Sequence, residues 1–506
     1  MPPTRNDVPY DFSCSVPDFG TSGQLARHTL DGAFWIMVSQ SLLAPIGLAV
    51  VVFLTRQFGP AGYGQYALTW SVVFWIEISV CMVFSRSAVR LVGETDDWRA
   101  LAAALLKWNL ALGLGAMLLL WLIAEPIATL LGDRQQAGLI RLAAIDIPIA
   151  AFAEAHISVL MGLGRFRHRA AISAARWISR LVLIVLFVEL GFSVEGALCG
   201  GIGSSVVSLM MCRMFLRPKL FCGIRFPARQ LWGHSLPLFI TDASLRALQS
   251  IDLLLLVAWG GTQTQAGLYA AASNLAFFPA MIGVVAAPVV LSTVTRLLKQ
   301  GRAIQARATA EYSMRLVLVL LPFVVLVSVT STEILQLVLG ADFAAGGPLM
   351  AVLIFAAYAR FAVAIISSLL VASGHLRATV MITAPVVPIA VLSHFVLIPM
   401  FGPLGAAVST TFAFSLLVVA GLFAVEKVWD GIVLFRTFYK SLVVGLLVCG
   451  TVFWPAPGLW LILKLVFVCL AIVGLILAQR EFSRRELDFV TRLIGLRTPE
   501  AAKNAI

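Results

Sequence analysis

The sequence predicts an all-α integral membrane protein with 14 transmembrane helices: two six-helix repeats forming a V-shaped pair of bundles, then two further helices. Three observations predict it. Hydrophobic residues make up 60% of the chain and charged residues 12%, about half of the roughly 25% that an ordinary soluble domain carries. Apolar runs of about 20 residues, the length that crosses a bilayer core as helix, recur along the chain. Short patterns also return at one offset. Ser158 to Arg167 (S-V-L-M-G-L-G-R-F-R) is answered 210 positions later by Ser368 to Arg377 (S-L-L-V-A-S-G-H-L-R). Glu125 to Gly132 answers Glu333 to Gly340, 208 apart, and Gly64-Gln65-Tyr66-Ala67 answers Gly267-Leu268-Tyr269-Ala270, 203 apart. Three matches in one order at nearly one spacing argue for a duplicated unit over the first 425 residues.

Residues 1–32 are polar and mixed in charge, a cytoplasmic segment without the basic lead and cleavage site of a secretory signal; the first apolar run is expected to stay as a span. The first bundle, 33–216, holds spans near 33–54, 67–85, 101–123, 140–163, 171–191 and 195–214. A cytoplasmic linker at 217–233 leads to the second bundle, 234–425, with spans near 234–258, 266–291, 313–332, 348–372, 378–399 and 403–425. Residues 426–480 add spans near 437–455 and 459–478. The charged cytoplasmic tail, 481–506, has an amphipathic stretch around Phe482 to Leu496 that suits an inner-surface anchor. Pro148, Pro237, Pro279, Pro288, Pro322, Pro385 and Pro388 interrupt spans, where a missing N–H bends a helix.

Charge tests this count independently, because cytoplasmic loops hold the Lys and Arg. With the N-terminus inside, the inner loops collect Arg86, Arg90 and Arg99; Arg165, Arg167 and Arg169; Arg217, Lys219, Arg225 and Arg229; Arg296, Lys299, Arg302 and Arg307; Arg377; then Lys427 and Arg436. Outer loops offer only Arg56 and Arg134, with Asp133, Glu195, Glu333 and Asp342. A miscounted helix would reverse the alternation from that point on. The expectation is a multi-pass protein of the cytoplasmic membrane with both termini cytoplasmic.

The same features exclude other classes. A net charge of +12 arises from short basic clusters between apolar runs, which set orientation and do not suit nucleic acid. The seven cysteines show no CxxC spacing and read as small buried hydrophobes, so no metal site is expected. No G-x-x-x-x-G-K-[ST] loop is present for a nucleotide, and no cofactor is expected. The longest loops are of order twenty residues, too short for a soluble catalytic domain, so an enzyme is not expected.

Several stretches resemble the polysaccharide-biosynthesis flippases: F-G-P-A-G-Y-G-Q-Y-A (Phe58 to Ala67), M-G-L-G-R-F-R ending at Arg167, and S-L-P-L-F-I (Ser235 to Ile240). So do D-L-L-L-L (Asp252 to Leu256) with A-G-L-Y-A-A-A (Ala266 to Ala272), and I-P-M-F-G-P-L-G-A-A (Ile398 to Ala407). These belong to the multidrug/oligosaccharidyl-lipid/polysaccharide exporter superfamily, with the O-antigen and exopolysaccharide flippases the nearest branch. The resemblance covers roughly residues 30–425. It implies two six-helix bundles around a cavity that opens alternately to either side, and a polyprenyl-diphosphate-linked oligosaccharide substrate. Without a nucleotide loop, energy is expected from an H+ or Na+ gradient, with membrane lipid as surroundings and a polymerase and chain-length regulator of the same pathway as partners. Two relatives stay open as alternatives. The multidrug exporters carry an acidic residue in the first span, where this chain has Gln40 and no carboxylate after Asp31. The peptidoglycan lipid-precursor flippases share the fourteen-span count, but their cavity cations find no match here.

Ionisable residues inside spans cost about 2.5–3.5 kcal/mol each at the bilayer centre and persist where they face a cavity or a partner. Arg176 and Arg180 share one helix face, and Arg180 lies about 11 residues beyond Arg169, roughly 16 Å deep. A guanidinium presents a fork of donors matched to phosphate oxygens. Arg176, Arg180, Arg246 and Arg360 are therefore the candidate substrate-binding residues, with pairing of an arginine to Glu77 or Glu154 as the alternative. Glu77, Asp146, Glu154, Asp242 and Asp252 are the candidate ion-coupling carboxylates. Asp242 and Arg246, four apart, can also neutralise each other. Asp252 sits near an outer helix end, His156 and His394 read as packing histidines, and Lys464 as a residue reaching for the surface.

Overall fold

The computed structural model describes residues 42–94, 98–216, 252–429, 435–454, 458 and 460–479. The N-terminal segment, the linker, the charged tail and most of the expected seventh span, with Asp242 and Arg246, lie outside the described residues. All regular structure among the described residues is helical. Among the described residues, ten stretches are long and apolar enough to cross a membrane.

Helix α1 runs Leu43–Glu94, 52 residues. At 1.5 Å per residue that is about 78 Å, more than twice the ~30 Å hydrocarbon core, so α1 holds two crossings. It breaks at Gly59, whose φ of 64° lies in the left-handed region that glycine enters freely, just ahead of Pro60. Then come α2 (Trp98–Leu130), α3 (Gln136–Ala144), α4 (Asp146–Gly162), α5 (Phe166–Phe187) and α6 (Ser193–Phe215). The expected span at 140–163 is two helices meeting at Ile145, which places Asp146 and Pro148 in the first turn of α4, where a missing N–H breaks no bond. Between α5 and α6 the chain passes a π turn, Val188–Phe192, with Gly191 at φ 93°. The two arms then pack so closely that a methyl built on Gly200 would lie 2.6 Å from the backbone nitrogen of Ile184.

The second half resumes with helical residues 252–258. Helix α7 (Gln263–Ala276) starts in a capping box: Gln265 N–H donates to Thr262 Oγ1 at 3.2 Å, and Thr262 N–H to Gln265 Oε1 at 3.1 Å. Next are α8 (Phe278–Lys299), α9 (Ala303–Val319), α10 (Leu321–Val329), α11 (Ser331–Leu339), α12 (Gly347–Ala372), α13 (Leu376–Phe401) and α14 (Pro403–Val428). The expected span 313–332 divides into α9 and α10 at Leu320, two residues before Pro322. Helices α15 (Phe435–Cys449) and α16 (Trp460–Ala478) close the described chain.

The leading sequence pair folds alike. After α4, Gly164 (φ 70°) follows a turn in which Arg165 N–H donates to Leu160 O at 2.9 Å and Gly164 N–H to Met161 O at 3.0 Å. After α12, Gly374 (φ 83°) follows the same turn, with His375 N–H to Leu370 O at 2.8 Å and Gly374 N–H to Val371 O at 3.0 Å. Each is the 6→1 and 5→2 bonding that ends a helix at a left-handed glycine.

The halves meet at one end only among the described residues. At the end of the Gly59 and Gly260 turns, one core joins Leu54, Tyr63 and Tyr66 to Leu256, Tyr269 and Leu339. At the opposite, Arg-rich end the core divides in two: Phe84, Leu101 and Leu160 pack within the first half, and Val294, Met314 and Leu369 within the second. The extensive contacts across the halves run between α1 and α7 and between α1 and α11. There Gly64 and Gly267, the repeat-related glycines, face each other: a methyl on Gly64 would overlap the Gln263 carbonyl oxygen, and one on Gly267 that of Pro60. Around them Gln263 donates to Asp133 Oδ2 at 2.6 Å, Asn274 to the Tyr63 hydroxyl at 3.0 Å, and Arg56 to the carbonyls of Leu337 and Val338 at 3.2 and 3.3 Å. Helices α15 and α16 dock on α10 through Leu326, Val444, Val468 and Ile472. Lys464 does not reach for the surface: it is buried, and its Nζ pairs with Glu333 at 3.2 Å.

Candidate functional site

Along the second arm of α1, Trp70, Phe74, Glu77, Cys81 and Ser85 recur at helical spacing and share one face. That face, Glu154 of α4, and Arg176, Trp177 and Arg180 of α5 line a cavity of about 220 Å³. It is smaller than the ~300–1,000 Å³ that takes a drug-sized molecule, so it suits one charged group of a ligand. Its described walls come entirely from the first half.

The arginines differ in what holds them. Arg176 Nη2 pairs with Glu77 Oε1 at 3.3 Å and donates to Ser205 Oγ at 3.4 Å. Glu77 is 7% exposed at its side chain, so its charge is offset by Arg176 and not by water. Asp146 is fully buried, with Ser205 beside its carboxylate and Arg176 and Arg180 as neighbouring cations. Arg180 is held differently. Its guanidinium lies 4.4 Å from the Trp70 ring centroid and 5.6 Å from that of Trp177, and Nη2 donates to the Tyr66 hydroxyl at 3.3 Å. Tyr66 in turn stacks on Trp70, 6.5 Å away and 9° from parallel. Among the described residues Arg180 makes no ion pair, so aromatic faces fix its plane while its N–H fork stays available.

The structure therefore brings together Arg176, Arg180, Glu77 and Glu154, with Asp146 behind, and leaves Arg360 and Asp252 elsewhere. The wall is mixed in charge, with two carboxylates beside two guanidiniums, where the sequence reading expected a positively lined passage between the halves. Arg360 on α12 stacks on Phe414 of α14 at 4.6 Å, and its Nε has no hydrogen-bond partner among the described residues. Asp252 is 7% exposed, not open to water, and accepts the Tyr269 hydroxyl at 2.6 Å. His156 fits the packing role, with Nδ1 2.8 Å from Phe152 O. The sequence reading missed the aromatic cradle of Tyr66, Trp70 and Trp177; the four-residue step from Tyr66 to Trp70 was its signal. It also missed Ser205 and the surroundings of His394, which no local spacing announces.

The family model for polysaccharide biosynthesis proteins matches residues 53–346, more than half of the chain. The chain belongs to that family. Within the polysaccharide biosynthesis proteins, the succinoglycan biosynthesis transport protein ExoT of Rhizobium meliloti (strain 1021) is 28% identical over 176 residues. That match spans only 35% of either chain, about a third of the relative's length. Among solved structures, the lipid II flippase MurJ in an inward closed conformation superposes with a TM-score of 0.71 at 16% identity, covering 88% of this chain and 98% of that one. An inward-facing multidrug resistance MATE family transporter of the MOP superfamily gives 0.62 at 16% identity, over 77% and 96%. At such identities the likeness establishes the fold: this polysaccharide biosynthesis protein is an all-helical, multi-pass membrane protein with the architecture of those transporters.

Proposed function

We propose that this chain is a flippase that carries a polyprenyl-diphosphate-linked oligosaccharide from the inner to the outer leaflet of the cytoplasmic membrane for polysaccharide assembly. The observation that carries the reading is Arg180, a guanidinium that makes no ion pair among the described residues and lies over the Trp70 ring in a small cavity within the membrane-spanning helices. A diphosphate offers the oxygens that such a fork accepts. The cavity takes the charged group, the glycan crosses beside it, and the polyprenyl tail stays in lipid. In this reading the Arg-rich end faces the cytoplasm under the positive-inside rule, with both termini there, and the end at which the halves share a core faces outward. Energy comes from an ion gradient through one of the buried carboxylates, Glu77, Asp146, Glu154 or Asp252. A polymerase and chain-length regulator take over the product outside.

The test is transfer of a polyprenyl-diphosphate-linked glycan in proteoliposomes. Arg180→Ala is expected to lower the rate by about tenfold or more, the loss of one charged hydrogen-bonding partner, and Arg180→Lys to be intermediate. Normal transfer by both Arg180→Ala and Arg360→Ala overturns the reading. Resistance to a panel of cationic drugs on overexpression, without glycan transfer, would instead make it a multidrug exporter.

A further inference from the structure

On the second arm of α1, three aromatic rings step from the seam between the halves to the cavity. Tyr63, Tyr66 and Trp70 are three and four residues apart and so share one helix face. Tyr63 stands at the seam and is held there by the second half: its hydroxyl accepts from Asn274 of α7 at 3.0 Å, and its ring meets that of Phe343, between α11 and α12, edge-on at 6.3 Å. The Tyr66 ring lies 6.2 Å from that of Tyr63 and stacks on Trp70 at 6.5 Å. Its hydroxyl and the Trp70 ring then hold the Arg180 guanidinium. Tyr63, Tyr66 and Phe343 are buried, and a methyl built on Gly201 of α6 would come within 3.3 Å of the Trp70 ring, so the row is packed from end to end.

Parting the halves takes Asn274 and Phe343 away from Tyr63, because both ride on the second half. Tyr63 then loses a hydrogen bond and an edge-on ring contact in one step. Tyr66 loses the packing that holds it on one side, so its hydroxyl and the Trp70 face no longer fix the guanidinium plane. A long side chain released in this way regains rotamers that a bound anion would have to freeze out again. The Arg180 fork is therefore pre-organised while the seam is closed and disordered once it opens.

We propose that Tyr66 and Trp70 are positioning residues for Arg180, and that Tyr63 makes their hold conditional on the closed seam. The cavity then grips a diphosphate while the halves are joined at that end and lets it go as they part. This rests on the diphosphate reading given above and adds to it a way of releasing the group on the side to which the seam opens. Coupling between two sites is reciprocal. A diphosphate on Arg180 alone favours the closed seam, so the glycan or the coupling ion has to drive the opening.

The experiment uses the full chain with 5-fluorotryptophan in lipid nanodiscs, without glycan. The fluorine signal of Trp70, assigned by its loss in Trp70→Phe, is expected to shift or split in Asn274→Ala, a change at an exposed position that spares the fold. Tyr63→Phe, which removes only the hydroxyl, should do the same, and the double variant should move the signal no further, since both cut one link. The dissociation constant of inorganic pyrophosphate should rise about fivefold or more in either variant, although neither residue lines the cavity. Tyr66→Phe, which keeps the stack, should weaken it less than Tyr66→Leu. In Arg180→Gln, pyrophosphate binding should be weak and indifferent to Asn274→Ala. A Trp70 signal unmoved by Asn274→Ala and Tyr63→Phe, or a wild-type pyrophosphate constant that neither variant changes, overturns the coupling. If Trp70 follows Asn274 but pyrophosphate does not bind, the diphosphate reading falls and the link from the seam to Arg180 stands. If glycan is transferred while Trp70 stays indifferent to the seam, the flippase reading stands and the coupling falls.

Discussion

Arg176 and Arg180 sit one helical turn apart and do different work. Arg176 pairs with Glu77 and acts on Asp146, two buried carboxylates in low dielectric. Removing it strands both charges. Arg176→Ala is therefore expected to lose about 3 kcal/mol, the low end for a broken buried pair because the arginine side chain is 30% exposed. Adding Glu77→Gln should recover a large part, since the stranded charge goes with it. Thermal melting in detergent measures both. Arg180→Ala removes two cation–π contacts and one hydrogen bond from a charged donor but no ion pair, about 2 kcal/mol, so it should melt above Arg176→Ala while transfer falls. Equal melting of Arg176→Ala and Arg180→Ala would show that the Glu77 pair does not hold the bundle together.

The helices were legible because lipid enforces them: each backbone polar group must be satisfied within its own segment, so apolar runs convert directly into helix. Pro322 marked the break between α9 and α10, and the glycine ending S-x-L-x-x-x-G marked the turns after α4 and α12. The pairing of distant side chains was not legible. Asp252 meets Thr410 across 158 residues, and Lys464 meets Glu333 across 131. Spacing along one helix reports on neighbours within two turns, and these partners belong to other helices. The Gly64 and Gly267 motifs lie between: their repetition was readable, their contact was not. That contact depends on two missing side chains. Gly267→Leu is expected to force α1 from α7 and expose the seam, raising labelling of a cysteine at Asn274 by an impermeant maleimide about tenfold, a shift of ~1.4 kcal/mol. Unchanged labelling would mean that α7 moves as one body with α1.

At the scale of the molecule, a shared core at one end and divided cores at the other are what one state of the proposed transport cycle requires. Reaching the other state means parting α1 from α7 and α11. The bonds across that seam are few: Asp133 to Gln263, Tyr63 to Asn274, and Arg56 to two carbonyls. The neutral bond contributes about 1 kcal/mol net and each bond with a charged partner about 1.5–3 kcal/mol, on top of the shared core, and a bound substrate or ion must offset this to open the seam. Transport should then stop when the seam is held shut from outside. Cysteines at Asp133 and Gln263, in a chain otherwise free of cysteine and joined by a short cleavable bis-maleimide, are expected to reduce glycan transfer by about tenfold or more, with recovery once the linker is cut. The unlinked double variant controls for the lost hydrogen bond. Transfer that continues with the linker in place would mean that substrate crosses without the halves separating at this end, and the moving part would have to be sought within one half instead.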